Sequence, residues 1–261
     1  MQLRPRIIPT LLLSKNTLVK TINFKDPSYI GDPINTLRIF NELEADELIL
    51  LDIRASIEGR VPNFDLLDKI SKECFMPLAY GGGLKNIEEV RKIFKIGFEK
   101  IIINSSSYTN PSLIKQIAEE FGSQSLIIAI DYKKDFLRRN KTYYLSGTEK
   151  IGQDVLDWCL EMESLGAGEI MLTCIDAEGT WNGLPLDFIS EIDNKINIPL
   201  IAHGGTAKAE DIEDLFSNSK VSAVALGNMV IYQKEGMGVL VNMPNREKID
   251  KDYLKRLDSS A

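Results

Sequence analysis

Two glycine-rich turns, each ending a short apolar run, are well suited to holding a ligand: Gly81-Gly82-Gly83 in PLAYGGG and Gly204-Gly205 in PLIAHGG. Glycine lets backbone N–H groups come close to a ligand at φ values other residues avoid, so such turns can cradle a phosphate. Asn104-Ser105-Ser106, ending KIIINSS, would complete the first cradle, and Gly227-Asn228, ending SAVALGN, the second. Two such cradles suit a ligand with a phosphate at each end. Glycine pairs that only turn the chain tightly would read the same way.

Asp131 ends the run LIIAIDYKK; the matching run of the other half is RIIPTLLLSK, where Leu12 stands opposite it. A pair of carboxylates at these positions would share general acid and base work on a sugar carbon. This chain has one of the two, and a single Asp after a strand also serves as a cap. Lys20, in TLVKTINF, can bring a mobile positive charge or be a solvated loop side chain. His203, the only histidine, lies within IAHGG, where acid–base, phosphate-donor and packed roles are all open. No His, Cys or acidic pair has metal-ligand spacing, so neither metal nor cofactor is expected. Cys74, Cys159 and Cys174, without CxxC spacing, read as reduced thiols of a cytosolic protein.

Arg6, Glu47, Lys100 and Glu169 sit at or just before apolar runs. If those runs are strands of one barrel, all four charges fall near its bottom. Two acids and two bases there can close into a ring, since buried charges persist only when paired. Four unrelated surface charges would be the alternative.

The elements that must position these residues are written twice. Residues 47–94 realign without a gap onto 169–216, and one offset joins Glu47 to Glu169, Pro77 to Pro199, Gly82 to Gly204 and Phe94 to Phe216. Each copy reads strand, helix, strand, Gly-Gly turn, helix, the mark of a duplicated block. Eight apolar runs alternate with amphipathic segments such as NIEEVRKIFKIG, which signals a parallel sheet covered on its outer face. The expected fold is an α/β (β/α)8 TIM barrel built from two half-barrels, and the 261 residues match the ~250 typical of that fold.

No linker divides the chain, so one domain over 1–261 is expected, with 236–261 as a C-terminal helix or tail frayed from Asp258. Two excursions, KNTLVKTINFKDPSYIGDP and KKDFLRRNKTYYLSGTEKIG, leave strands 1 and 5 as loops half a barrel apart. The net charge of −7 argues against nucleic acid and anionic membrane as partners. No apolar run reaches the ~18 residues of a membrane span, and MQLRPRIIPTLLLSKN lacks the build of a secretory signal, so a cytoplasmic location is expected.

The segments RIIPTLL, LDIRAS, YGGGLKNIEEVRKIF, INSS, FGSQSLIIAID, LGAGEIMLT and IPLIAHGG together resemble the cyclase subunit of imidazole glycerol phosphate synthase, from about Arg4 to about Ile231. The resemblance implies a barrel with a glutaminase docked at its bottom, from which ammonia passes to a bisphosphate nucleotide at the top. It makes Asp131 the general acid and Lys20 the loop lysine. Gly82, Gly83, Asn104, Ser105, Thr173, Gly179, Gly204, Gly205, Gly227 and Asn228 become ligand and phosphate positions. Arg6, Glu47, Lys100 and Glu169 become the gate that admits ammonia, and Glu99 an acidic residue communicating with the glutaminase.

The departures concern the top. The family's strand 1 reads C-L-D-V with a catalytic Asp; here the stretch is Thr10-Leu11-Leu12-Leu13. The family's Ser in the I-A-S-G-G turn is His203, its Val before the triple glycine is Tyr80, and D-x-D-G-T reads Asp176-Ala177-Glu178-Gly179-Thr180. A leucine cannot move a proton, and losing such a base costs orders of magnitude in rate. The resemblance therefore implies a paralogue that no longer cyclises but takes ammonia from a glutaminase and delivers it elsewhere. Such paralogues accompany surface-polysaccharide genes and, with an ATP-dependent amidotransferase, turn an N-acetyl sugar into an acetamidino sugar. Two other readings are an ordinary cyclase in which His203 or another group replaces the base, and a non-catalytic scaffold that keeps the glutaminase active. The pathway's related isomerase is disfavoured because it needs both carboxylates.

Overall fold

A computed structural model describes residues 4–43 and 45–259. Its strands in chain order are β1 (Arg6–Ser14), β2 (Thr17–Ile22), β3 (Lys25–Gly31), β4 (Leu48–Asp52), β5 (Leu78–Gly81) and β6 (Lys100–Ile103). They continue as β7 (Leu126–Lys134), β8 (Asn140–Tyr144), β9 (Glu149–Lys150), β10 (Glu169–Cys174), β11 (Leu200–His203) and β12 (Ala223–Leu226). Eight of them, β1, β4, β5, β6, β7, β10, β11 and β12, pair in parallel in that order, and β12 closes on β1 from Arg6↔Ala223 to Pro9↔Leu226. This is the expected (β/α)8 barrel, and the eight strands are the eight apolar runs.

The duplication holds to the residue in the second half of each block. β5 maps onto β11, and α3 (Ile87–Ile96) onto α8 (Ala209–Asn218), with identical bounds under the offset. Helices α2 (Phe64–Glu73) and α7 (Leu186–Asp193) start in register as well. Local signals fix the ends: the Asn86 side chain accepts from Glu89 N at 3.0 Å to start α3, and Gly97 at φ 115° stops it.

Strand side chains alternate between two cores. One parity, including Ile7, Leu11, Leu48, Leu50 and Ile128, packs outward under the helices. The other, including Ile8, Ile49, Ile102, Ile127, Met171 and Ile201, fills the barrel's interior. Read along that inward parity, Arg6, Ile8, Thr10 and Leu12 form one column. Lys100, Ile102 and Asn104 form another, and Glu169, Met171 and Thr173 a third. Charges at the bottom and the polar residues Asn104 and Thr173 at the top are thus the two ends of the same apolar columns.

The excursions differ from expectation. They are antiparallel hairpins rather than loops, because β2 and β3 continue β1 through Leu12↔Val19, and β8 and β9 continue β7 through Asp131↔Tyr143. A C-terminal helix, α9, spans Arg246–Ser259. It buries Ile249 and sets Tyr253 edge-on to Phe216 of α8, 6.4 Å between ring centroids. Among the described residues, no helix is long and apolar enough to cross a membrane.

Candidate functional site

At the bottom of the barrel the structure brings Arg6, Glu47, Lys100 and Glu169 into one closed ring. Arg6 pairs with Glu47 at 2.6 Å and Glu169 at 2.7 Å, and Lys100 pairs with Glu169 at 2.8 Å and Glu47 at 3.1 Å. Each cation bridges both acids, so no charge faces the apolar interior uncompensated. Burial works against the Arg6 charge, but Glu169 and Glu47 outweigh it and raise its pKa. Glu99 lies exposed just before β6, its backbone N–H tied to Leu78 O at 2.9 Å.

At the top, one open cleft is lined by Leu12, Lys20, Asp131, Asn104, Ser105, Thr173 and His203, together with Gly82, Gly83 and Gly227. β1 and β7 are four strands apart in a ring of eight, so Leu12 and Asp131 face each other across this mouth. Asp131 Oδ2 accepts from Asn104 Nδ2 at 3.1 Å, and Asn104 also donates to Ala129 O at 2.9 Å. Burial pushes the Asp131 carboxyl up to about 7, helped by Glu178 and opposed by the bonds from Thr173 and Asn104. A carboxyl poised there can give a proton near neutral pH; Leu12, facing it, can take none.

Lys20 is buried rather than solvated. Its Nζ donates to Thr10 O at 2.8 Å, and burial lowers it to about 8 against the attraction of Glu178. His203 is buried with Nδ1 3.3 Å from Thr173 Oγ1, and burial, with the Lys20 charge, lowers it to about 3. An imidazole held that low is unprotonated at pH 7 but only weakly basic. Tyr80, unlike the other departures expected at the top, lies on the outward parity of β5, edge-on to Phe98 at 5.8 Å, and does not shape the mouth.

The two glycine turns are built alike. A side-chain carbon at Gly82 (φ 124°) would meet Asp52 O at 2.5 Å, and one at Gly204 (φ 96°) would meet Cys174 O at 2.7 Å. Those partners are equivalent under the duplication, so chain packing already requires glycine there, ligand or not. The second turn forms a small pocket with Gly179, Gly205, Gly227 and Asn228, and Asn228 Nδ2 donates to Gly179 O at 3.0 Å.

Glu178, a departure from the family's D-x-D-G-T pattern, has a structural role that the motif alone does not assign. It is buried; Oε1 accepts from Thr21 Oγ1 at 3.0 Å and Oε2 from Phe24 N at 3.1 Å. Burial raises its pKa despite those bonds. It ties the β2–β3 hairpin to the turn after β10 and sets a negative charge near Lys20. An acidic residue beside Gly179 in a strand-end turn was the signal available.

Comparison with known proteins agrees with this architecture. The family model described as "Histidine biosynthesis protein" matches residues 6–236. A Pseudomonas aeruginosa protein named "Putative imidazole glycerol phosphate synthase subunit hisF2" is 43% identical over 95% of this chain and 98% of its own length. A Leptospira borgpetersenii protein with the corresponding HisF name is 46% identical over 93% of this chain and 96% of its own. The imidazole glycerol phosphate synthase subunit HisF of Alkaliphilus metalliredigens is 41% identical over 88% and 91%. By fold, duplicated register and these matches, the chain belongs to the HisF family of imidazole glycerol phosphate synthase subunits.

Proposed function

We propose that this protein is a HisF-like synthase subunit that receives ammonia at the bottom of the barrel from a partner glutaminase and delivers it at the top without performing the cyclase reaction itself. The observation that carries the reading is the contrast between the two ends. The ring of Arg6, Glu47, Lys100 and Glu169 is closed, whereas Leu12 faces Asp131 where a second carboxylate would be needed. A polar ring at an opening is hard to explain in a barrel with no traffic through it. The relatives' names describe them as subunits of a synthase, which supports a partner chain, and the numbered name hisF2 fits an additional copy of such a subunit.

The acceptor this reading favours is an N-acetyl sugar, activated by an ATP-dependent amidotransferase and converted to its acetamidino form for a surface glycan. The retained glycine turns and Asn104, Ser105 and Asn228 would hold phosphate groups of a small molecule at the mouth. Glu99, on the exposed bottom face, would contact the glutaminase.

The test supplies the purified chain with an ammonium salt and the bisphosphate nucleotide of the histidine pathway. No appreciable imidazole glycerol phosphate should form; turnover near a median enzyme's ~10 s⁻¹ would overturn the reading. The complementary assay mixes the chain with its glutaminase, the amidotransferase, ATP, glutamine and the N-acetyl sugar. It should yield a sugar whose acetyl oxygen is replaced by nitrogen.

A further inference from the structure

The rim of the mouth carries an apolar, basic surface that the cleft does not use. Phe136, at the tip of the β7–β8 hairpin, is 90% exposed, and its neighbour Leu137 is 56% exposed. The tip is built to hold them there. Asp135 Oδ1 accepts from Leu137 N at 2.9 Å and from Arg139 N at 3.0 Å, and Arg138 N donates to Asp135 O at 2.9 Å. Arg139 is drawn back onto Asp135 at 3.0 Å.

The base of this hairpin joins the other one. Lys134 N donates to Asp176 Oδ2 at 2.7 Å, and Asn23 Nδ2 donates to Asp176 O at 2.8 Å. Exposed Ile22, 56% accessible, sits next to Asn23. Exposed Lys25, Lys134, Arg138 and Arg139 outnumber the exposed Asp26 and Asp176 and the part-buried Asp135 on the same rim, on a chain whose net charge is −7.

We infer that this rim is a docking surface for the enzyme that consumes the ammonia, which meets it with an acidic surface containing an apolar pocket for Phe136. A large aromatic on a turn already ordered loses little entropy on binding, which is how interface anchors are built. The cations on an acidic chain give the surface a sign opposite to the rest and select an acidic partner. The site borders the cleft, and a neutral ammonia molecule leaving an open mouth would escape to solvent unless the consumer sat over it. The inference rests on the proposed function and adds the face and chemistry of the third component.

The experiment measures binding of the full chain to the purified ATP-dependent amidotransferase and, separately, to the purified glutaminase. Both are titrated against wild type and the Phe136→Asp/Arg138→Glu double variant. Both positions are exposed, so the fold should survive, and unchanged glutaminase affinity verifies it. The expected result is at least a tenfold weaker Kd for the amidotransferase, a wild-type affinity that falls with salt, and no change for the glutaminase. Equal amidotransferase affinity in wild type and variant would overturn the docking surface. So would nitrogen transfer from glutamine to the sugar without any measurable amidotransferase binding; the conduit reading would then stand alone. Binding to phosphatidylglycerol vesicles, lost in the variant and unaccompanied by amidotransferase binding, would assign the rim to a membrane and overturn it too. Absence of any transfer from glutamine would remove the proposed function and this inference with it.

Discussion

Lys20 Nζ donates to Thr10 O at 2.8 Å, just past the rung Pro9↔Leu226 where β1 parts from β12. A cation is thereby fixed in the mouth that Leu12 also lines. Position 12 is 7% exposed, so a carboxylate introduced there would be largely desolvated but would have Lys20 in the same cleft. Leu12→Asp should therefore fold and ionise. It should raise cyclase turnover at least about 100-fold above wild type, the lower range for a positioned acid–base group. Recovery should remain partial, since His203 still alters the mouth. No rise at all, measured with ammonium and the nucleotide substrate, would mean that Leu12 is not what silences the reaction.

Asp131 gives a pH signature of stability. Its carboxyl titrates near the ordinary 3.9 when unfolded and at about 7 in the fold. Between those values the native state binds the proton more tightly, so its contribution falls as pH rises from about 4 to 7 and is level above. Asp131→Asn lacks that loss. Relative to wild type it should gain a few kcal/mol between pH 4 and pH 8, an order-of-magnitude figure from about 1.4 kcal/mol per unit. Urea titrations of both proteins at the two pH values check this; a constant difference would place the carboxyl in a wetter setting than the structure shows.

His203 predicts the opposite slope. The unfolded imidazole titrates near 6.5, whereas burial and Lys20 hold it to about 3 in the fold. The unfolded state then binds the extra proton first, so wild type loses stability as pH falls from about 6.5 toward 3. His203→Gln should lose less over that range. The same variant should leave the neutral-pH rate profile of ammonia transfer without a missing limb, because an imidazole that titrates near 3 does not change its protonation state there. Loss of an ionisation near pH 6 to 7 would reinstate His203 as an acid–base group.

Much of the fold was legible because the chain states it twice: the offset that aligns the two copies also carries the bounds of β5 and α3 onto those of β11 and α8. The ring charges were legible for a simpler reason. They lie at strand starts, and period-two alternation turns them inward with Ile8, Ile49, Ile102 and Met171. Tyr80 was misplaced because its neighbour Gly81 does line the mouth, and one step along a strand reverses the face. The latch by Glu178 depends on Thr21 and Phe24, more than 150 residues earlier in the chain, and no local pattern records such a contact. The first excursion read as a loop because KDPSYIG has little alternation of its own and pairs only with β2.

The ring at the bottom can be tested by opening it. Lys100 bridges Glu169 at 2.8 Å and Glu47 at 3.1 Å with its side chain 19% exposed, and Arg6 holds both acids from the other side. Lys100→Ala leaves two acids with one cation, so it should cost about 1–3 kcal/mol, below the value for a fully buried pair because the site is partly solvated. The fold should survive at that cost. If ammonia enters here, product formed from glutamine should fall about tenfold, since the opening becomes leaky or fills with water, while product formed from added ammonium should stay within about twofold. Lys195→Ala, which breaks the exposed 2.8 Å pair with Glu191 on α7, is the control and should change neither. Equal losses from both nitrogen sources would mean that the substitution damages the barrel rather than the passage, and the conduit would lose its main support.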